Sequence, residues 1–192
     1  IRRSVEQSWL NNIDCDRGIP IGPTPHIPNW EGLEITKTLS QAIHLPVYID
    51  NDANFMAYGE YMCGQGIGLK VVVGITLGTG VGGGIILNGE IYHGAIFNAA
   101  EIGHVVVEPN GRACPCGNRG CLEKYAGAKA MVQDVVDALH RKEESMVTQG
   151  LLSYEEINPA LIFAAAKYGD ELCTRIVRQM IMYLGAGLSS VV

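Results

Sequence analysis

Apolar residues recur every three or four positions in several parts of the chain, which is the spacing of one face of an α-helix. This pattern predicts an amphipathic helix over residues 31–44, a long helix over 122–141 and another helix from Glu171 onward. A shorter helix is predicted to begin at Pro159, with Asn158 as its amino-terminal cap. Four helices are therefore expected from patterning and capping residues alone.

Strands are predicted in the first half of the chain, where short apolar runs are rich in β-branched residues. Residues 47–50 are expected to form a short strand that leads directly into a helix, and the valine-rich run 71–77 has the pattern of a buried strand. The pair Asn88 and Gly89 lies between two apolar runs and predicts a tight hairpin over residues 84–92. The proline-rich amino-terminal part is expected to be irregular.

Composition and charge narrow the class of protein. With 47% hydrophobic and 18% charged residues, the 192-residue chain is expected to be globular, as one domain or two small lobes. A net charge of −6 and a pI near 5.3 argue against a nucleic-acid groove, which needs a basic surface. The sequence has no run of 18 apolar residues and no amino-terminal signal, so we expect a soluble, cytoplasmic protein without membrane attachment. The last predicted helix runs uncapped to the final residue, which predicts that the sequence is part of a longer protein.

The densest chemical signal is a cluster of cysteines with a histidine shortly before it. Cys114, Cys116 and Cys121 together with His104 offer three thiolates and one imidazole, which is a complete tetrahedral ligand set for a structural Zn²⁺. Simple burial predicts apolar neighbours, whereas polar residues, proline and glycine surround these cysteines. Disulfide pairing within the cluster would need an even number of cysteines. We therefore predict that these four side chains hold a structural zinc ion.

The other three cysteines stand alone in apolar or mixed sequence surroundings. Free cysteine is among the most buried residue types, so each is expected to be an inert core residue. These three are Cys15, Cys63 and Cys173.

A glycine-rich stretch, GTGVGGG, follows the predicted strand 71–77. Gly78, Gly80 and Gly83 satisfy the G-x-G-x-x-G pattern of dinucleotide sites, but that pattern requires a helix directly after it, and here a strand and a tight turn follow. Two alternatives are left. One is a plain tight turn; the other is a turn whose backbone N–H groups, with the Thr79 hydroxyl, surround phosphate oxygens. Five glycines in seven residues favour the phosphate-binding turn.

Several polar residues are candidates for chemistry. Asp52 lies at a predicted strand-to-helix junction, where aspartate is either an ordinary helix cap or a base that accepts a proton from a substrate hydroxyl. Asn51 is compatible with ordinary turn chemistry. Glu101, His104 and Glu123 are compatible with solvated loop positions. Together the five residues also offer the acceptors and donors that a polyhydroxylated ligand needs, which leads to the hypothesis of sugar recognition.

Three motifs resemble one protein family in their order and spacing. They are VYIDNDAN at 47–54, ITLGTGVGGGIILNG at 75–89 and AEIGHVVVEPNGRACPCGNRGCLE at 100–123. They resemble the ROK family of sugar kinases and repressors, within the actin-like and hexokinase superfamily. The resemblance implies an α/β, actin-like (ribonuclease H-like) two-lobed fold, with residues 1–66 in the amino-terminal lobe and 67–192 in the carboxy-terminal lobe. The family's first phosphate hairpin and its carboxy-terminal adenosine loop have no counterpart here, which again implies a fragment.

The resemblance also implies a function, an ATP-dependent kinase that transfers the γ-phosphate to the 6-hydroxyl of a hexose or an N-acetylhexosamine. Asp52 would be the catalytic base. The sugar would be bound by Asn51, Glu101, His104, Glu123 and Thr24, and the ATP phosphates by Gly78, Thr79 and Gly80. The structural Zn²⁺ would be bound by His104, Cys114, Cys116 and Cys121, so that the histidine would use both ring nitrogens. Mg²⁺ would accompany the nucleotide, and the complete protein is expected to be a homodimer.

One departure from the family pattern bears on the substrate. Many bacterial members have glycine where this chain has Phe97 and Ala100, and this segment is similar to that of N-acetylmannosamine kinases. Glucose and an N-acetylated hexosamine therefore both stay open as the sugar. The alternative function is the sugar-sensing domain of a ROK repressor without kinase activity. Asp52 favours the kinase, because a sensor has no use for a base.

Overall fold

The structure is a computed structural model that describes residues 13–22 and 27–191. Its residues divide between two compact units. The first unit consists of Ile1–Thr76 and Gly83–Glu101, and the second of Leu77–Gly82 and Ile102–Val192. The predicted lobe boundary after residue 66 concerns the complete two-lobed protein and stays a prediction.

The first unit combines two helices with two small sheets. The short strands β1 (Ile13–Asp14) and β2 (Ile19–Pro20) pair antiparallel. The helices are α1 (Ile35–Ile43) and α2 (Asp52–Cys63). The larger sheet has the order β3-β4-β5, formed by β3 (Val71–Leu77), β4 (Val81–Leu87) and β5 (Glu90–Ile91). The tip between β3 and β4, Leu77–Gly82, counts with the second unit.

Helix α2 packs on the larger sheet because two glycines leave room for it. Ala57 is fully buried, and a Cβ added to Gly74 would lie only 2.8 Å from the Ala57 Cβ. A Cβ added to Gly84 would lie 2.6 Å from the Ala53 carbonyl oxygen. Gly82 and Gly83, which were counted in the glycine-rich stretch, belong to strand β4. So does Gly84, which was predicted to begin the hairpin and which serves helix packing. Only the part of the glycine stretch before Val81 forms the turn.

The hairpin predicted around Asn88 and Gly89 is confirmed. Strands β4 and β5 pair antiparallel with Ile86 opposite Ile91. Both turn residues have positive φ angles, 50° for Asn88 and 93° for Gly89, as a two-residue hairpin loop requires. The first strand begins at Val81, three residues earlier than predicted, because strand geometry continues through the glycines.

Two predictions in this unit were wrong. Residues 47–50 form no strand in the described part of the chain, since β-branched composition supplies no pairing partner of its own. Helix α1 begins at Ile35 and not at Glu31, because Gly32 has a φ of 75°, which is incompatible with a right-handed helix.

The second unit is mainly helical. A 3₁₀ turn, Ile102–His104, is followed by α3 (Glu123–Ala126), α4 (Ala128–His140), α5 (Pro159–Lys167) and α6 (Glu171–Leu188). The last three helices enclose one core, whose fully buried members include Val135, Ala138, Ile162 and Cys173. Among the residues that the structure describes, none of the helices combines the length and the apolar character needed to cross a bilayer.

Two helix ends in this unit differ from prediction, and one agrees with it. The long helix predicted over 122–141 is divided at Gly127, whose backbone is extended with φ −73° and ψ 152°. Helix α6 ends at Leu188, so the expectation of a helix running uncapped to the final residue was wrong. The start of α5 is confirmed, because the Asn158 side chain accepts a hydrogen bond of 3.1 Å from the Leu161 N–H.

A buried carboxylate fixes the start of α6. Asp170 accepts hydrogen bonds from the Cys173 N–H (2.7 Å), the Ser145 hydroxyl (2.8 Å) and the Met146 N–H (2.7 Å). Burial alone would raise the pKa of Asp170, but these hydrogen bonds hold that pKa below its ordinary value. Cys173 is fully buried in the same network, which confirms it as a core residue. Cys63 is exposed at the end of α2, so the core expectation for that cysteine was wrong.

Replacement of Gly84 by alanine should destabilise the protein by about 1–3 kcal/mol, because the new methyl group would be forced against the backbone of α2. Gly59→Ala is the matched control. Gly59 is exposed on the same helix with nothing within 4 Å of an added Cβ, and losing a helical glycine should stabilise by up to about 1 kcal/mol. Urea unfolding followed by circular dichroism measures both. Equal effects of the two substitutions would contradict the packing described for Gly84.

Candidate functional site

The four predicted zinc ligands come together in the second unit. Their ligand atoms all lie within 4.8 Å of one another. Cys116 Sγ lies 3.6 Å from Cys121 Sγ, and Cys114 Sγ lies 3.6 Å from His104 Nδ1. A tetrahedral Zn²⁺ with bonds of about 2.0–2.3 Å places its ligand atoms about 3.3–3.8 Å apart. The residues present therefore fit the ion.

The loop that carries the cysteines folds back on itself as a narrow ribbon. Ala113 and Arg119 form an antiparallel bridge, and Gly117 and Gly120 have φ angles of 90° and 78°. A Cβ added to Gly120 would lie 1.8 Å from the Glu108 carbonyl oxygen, so only glycine fits there. These turns point the three sulfur atoms at one volume.

The histidine ligand enters from the opposite side on the 3₁₀ turn Ile102–His104. Gly103 lies so close to strand β4 that an added Cβ would be 2.1 Å from the Val81 carbonyl oxygen. This close approach places the histidine ring beside the cysteine loop, with Nδ1 towards Cys114.

Burial raises the pKa of the Cys114 and Cys121 thiols. Thiolates this close together would also repel one another. Both effects favour the protonated thiols in the absence of a cation. A Zn²⁺ bound among the sulfur atoms would instead favour the thiolates. The donor set therefore suits a divalent ion better than it suits the free thiols.

Glu123 lies between the cysteine cluster and the glycine turn. Its Oε1 atom is 3.4 Å from Cys114 Sγ and 3.7 Å from Lys124 Nζ. Its Oε2 atom faces the turn, since a Cβ added to Gly80 would lie 2.8 Å from it. One half-buried carboxylate thus contacts the predicted metal site on one side and the predicted phosphate site on the other.

The glycine turn is held by the amino-terminal end of helix α4. The Ala128 N–H donates to the Gly78 carbonyl (2.9 Å) and the Lys129 N–H to the Thr79 carbonyl (3.3 Å). Gly127 makes this approach possible, because an added Cβ would lie 3.1 Å from the Gly80 Cα. The positive end of a helix dipole therefore lies beside the turn, where it favours an anion.

A cavity of about 700 Å³ opens beside this turn in the second unit. Its lining includes Thr79, Gly80 and Glu123, with the cationic side chains Arg112, Lys124 and Lys129. Arg112 is already paired with Asp134 through nitrogen–oxygen contacts of 2.7 and 3.2 Å. The volume lies in the range of small-molecule sites.

Lys129 is a candidate that the sequence analysis missed. A lysine in the first turn of a helix opposes the helix dipole, and its position there was the available signal for an anion site. The sequence could not show that helix α4 lies beside the glycine turn, because the two come from distant parts of the chain.

Of the remaining predicted site residues, three lie in the first unit. The Asn51 side chain caps α2 by accepting a 2.8 Å hydrogen bond from the Ala53 N–H, so the cap role considered for Asp52 belongs to Asn51. Asp52 is the exposed first residue of α2, and its own Oδ1 accepts a 2.9 Å bond from the same N–H. Glu101 is half-buried at the end of the unit. Thr24 lies outside the described residues.

The two positions where glycine was expected in relatives have unusual backbone angles. Phe97 has a φ of 56° and Ala100 a φ of 62°, which is the left-handed region that glycine adopts at little cost. This gives a physical reason for glycine at these positions. Here the chain adopts this conformation with larger side chains, and Ala100 directly precedes Glu101.

Comparison with known proteins gives a consistent result. The ROK family model matches residues 17–192. A glucokinase from Thermotoga maritima is 38% identical over 165 residues, which are 86% of this chain and 52% of that protein. The chain spans about half the length of the curated relatives it matches.

Solved structures agree with the sequence relatives. A ROK family glucokinase from Streptomyces griseus in complex with glucose and AMPPNP has a TM-score of 0.78 at 37% identity, over 94% of this chain and 58% of that chain. A ROK family transcriptional regulator, a homolog of the E. coli MLC protein, has a TM-score of 0.81 at 32% identity, over 94% and 44%. The predicted α/β fold of the actin-like class, present here in part, is thereby confirmed.

Purified protein dialysed against a weak chelator should retain about one zinc ion per chain, as a closed four-ligand site predicts. Cys116→Ser should lower this content and the midpoint of thermal unfolding, because one ligand is lost from the set. Cys63→Ser is the control, since that exposed cysteine lies outside the cluster, and it should leave both values unchanged. Elemental analysis and calorimetry make the measurements. Folded wild-type protein without zinc would exclude a structural metal.

Proposed function

The chain belongs to the ROK family, and from this premise we propose that the complete protein is an ATP-dependent sugar kinase acting on the 6-hydroxyl of a hexose or an N-acetylhexosamine. The main observation behind the proposal is the exposed position of Asp52. It is exposed at the start of α2, while the neighbouring Asn51 supplies the cap that the helix needs. The Asp52 Oδ1 atom also accepts the Ala53 N–H, so the Oδ2 atom would be the one that takes the substrate proton.

Asp52 would act as the base that accepts the proton of the sugar hydroxyl as the oxygen attacks the γ-phosphate. General base catalysis contributes about 10²–10⁴ to the rate, while positioning and charge neutralisation supply the larger part in phosphoryl transfer. The close packing of α2 on Gly74 and Gly84 would keep the carboxylate in a fixed place.

The sugar would be held by acceptors that the fold keeps rigid. Glu123 is the strongest candidate, because its two oxygen atoms face the cysteine cluster and the glycine turn. A Zn²⁺ in the cluster would limit the motion of this carboxylate and of His104, and a pre-organised acceptor loses less entropy on binding. Asn51, Glu101 and Thr24 complete the proposed set.

The phosphates of ATP would lie at the turn formed by Gly78, Thr79 and Gly80. The adjacent end of α4 and the Lys129 side chain in the cavity lining supply positive charge for them. Mg²⁺ would be held chiefly by phosphate oxygens, as is usual for this ion.

The second candidate function is the sugar-sensing domain of a transcriptional repressor. It is supported by the likeness to the ROK regulator, which has a TM-score of 0.81 at 32% identity. A sensor would keep the sugar-binding residues but would not depend on Asp52. Substitution of that residue therefore separates the two functions.

In the full-length protein, Asp52→Asn should lower the rate of sugar phosphorylation by about 10²–10⁴ or more and leave sugar affinity nearly unchanged, because only proton acceptance is lost. Asp16→Asn, at another exposed aspartate of the same unit, should change neither value. ADP release and calorimetric binding are measured against glucose and N-acetylmannosamine. Sugar binding without ADP release in the wild type would favour the sensor.

Gly80→Ala should raise the KM for sugar in the full-length protein without unfolding it. The new methyl group would meet the flexible end of the Glu123 side chain at 2.8 Å and displace the carboxylate. Gly185→Ala is the control, because this exposed residue of α6 lies outside the proposed site and nothing lies within 4 Å of an added Cβ there. Steady-state kinetics and thermal unfolding test the pair. If both variants raise KM equally, the position of Glu123 is not what binds the sugar.

A further inference from the structure

A second group of possible metal ligands lies in the first unit. The ligand atoms of Cys15, Asp50 and His93 all lie within 4.8 Å of one another. The kinase proposal gives none of the three a role. We propose that these side chains form a second binding site for a divalent transition-metal ion such as Zn²⁺, with three protein ligands.

The aspartate is already oriented for such a role. Its Oδ1 atom accepts hydrogen bonds from the Asn51 N–H (2.7 Å) and from the Asn54 side-chain amide (2.8 Å). Its Oδ2 atom lies 2.7 Å from His93 Nε2. The hydrogen bonds to Oδ1 therefore hold the carboxylate in place, while Oδ2 lies next to the imidazole nitrogen. In metal sites, hydrogen bonds to the non-coordinating atoms orient carboxylate ligands in the same way.

The distances fit a metal after a small side-chain adjustment. Nitrogen and oxygen ligands of a tetrahedral ion are about 3.3 Å apart, so a metal would replace the His93–Asp50 hydrogen bond and separate the two atoms slightly. The donor set contains sulfur, nitrogen and oxygen. It suits Zn²⁺ and related ions, whereas Ca²⁺ and Mg²⁺ prefer oxygen ligands alone.

The group lies in the wall of a cavity of about 370 Å³. The other lining residues are mostly aromatic or aliphatic, namely Tyr48, Ile49, Phe55, Tyr58 and Ile91. Three protein ligands beside such a cavity leave the fourth metal position open for water or for a small exchangeable ligand. This arrangement differs from the closed four-ligand set in the second unit.

Two simpler interpretations explain less. Burial, together with the neighbouring Asp50 carboxylate, raises the pKa of Cys15 to about 12, so the free thiol stays protonated and is a poor nucleophile. A histidine–aspartate pair accounts for His93 and Asp50, and the Cys15 thiol also hydrogen-bonds to the Ile13 carbonyl oxygen (3.5 Å) and to Asp50. These bonds do not join Cys15 to His93, whereas a metal would use all three side chains.

The site would act on the start of helix α2. Asp50 directly precedes the cap residue Asn51, whose N–H donates to the Asp50 carboxylate. A metal at Asp50 would therefore restrain the backbone that leads into α2. This inference does not depend on the kinase proposal, because metal binding is measured without turnover.

The test is a Co²⁺ titration of the full-length protein after addition of one equivalent of Zn²⁺, which is spectroscopically silent and which the four-ligand cluster should bind first. We expect a second equivalent of metal to bind with a thiolate-to-cobalt absorption band. Cys15→Ala should abolish the band and the second equivalent, and His93→Gln should weaken binding at least tenfold. Cys63→Ala, which removes an exposed cysteine outside both groups, should leave the titration unchanged.

Circular dichroism and retention of the first zinc ion show whether each variant is folded. The proposal is overturned if the wild-type protein binds no second equivalent, or if folded Cys15→Ala protein keeps the absorption band. A band that persists in Cys15→Ala would assign the cobalt to another thiol. Either result leaves the kinase proposal standing.

Discussion

The contact between Glu123 and the two segments beside it links the chemistry of the second unit. One carboxylate oxygen lies 3.4 Å from the Cys114 sulfur, and the other lies beside the space that a side chain at Gly80 would fill. This is possible only because Gly80 and Gly127 carry no side chain, which lets the turn, the cysteine loop and the start of α4 approach one another. Packing in this region therefore depends on two residues that have no Cβ atom.

The proposed zinc ion has an energetic scale that matters for this region. Structural Zn²⁺ contributes about 10–16 kcal/mol of apparent binding free energy in small zinc-binding units, whereas whole domains are stable by only about 5–15 kcal/mol. A ribbon with so little regular structure would gain more from the metal than from its own backbone hydrogen bonds. The metal and the carboxylate would then form one structural unit. Removal of either group would change the position of the other.

Features formed by residues close in sequence were predicted better than features that join distant parts of the chain. The cysteine cluster could be recognised because its ligands are close in sequence and chemically specific. The cap at Asn158 and the hairpin at Asn88 are likewise local features. By contrast, the contact of Gly78 with Ala128 joins distant parts of the chain, and no local sequence pattern predicts it.

The same limit explains the misassigned glycines and cysteines. Residues 82–84 were counted in the glycine-rich stretch that favoured phosphate binding. The packing role of Gly84 could not be recognised, because its partner, the backbone of α2, is not its neighbour in sequence. Cys15 was expected to be an inert core residue, and the polar partners Asp50 and His93 that surround it come from two later segments. Glycine and cysteine can each serve packing or chemistry, and only the residues that surround them in space show which role applies.

The left-handed backbone at Phe97 and Ala100 has an evolutionary consequence. Each costs about 1–2 kcal/mol relative to a right-handed residue, so the path of the chain here is imposed by its surroundings and not chosen by these side chains. The Phe97 ring lies against the His93 ring at a centroid distance of 6.1 Å, which shows that a bulky group is accommodated. A lineage can therefore exchange glycine for larger residues beside Glu101 while the main chain keeps its course. Divergence of ligand preference would then need only new side chains, at a modest and recoverable loss of stability.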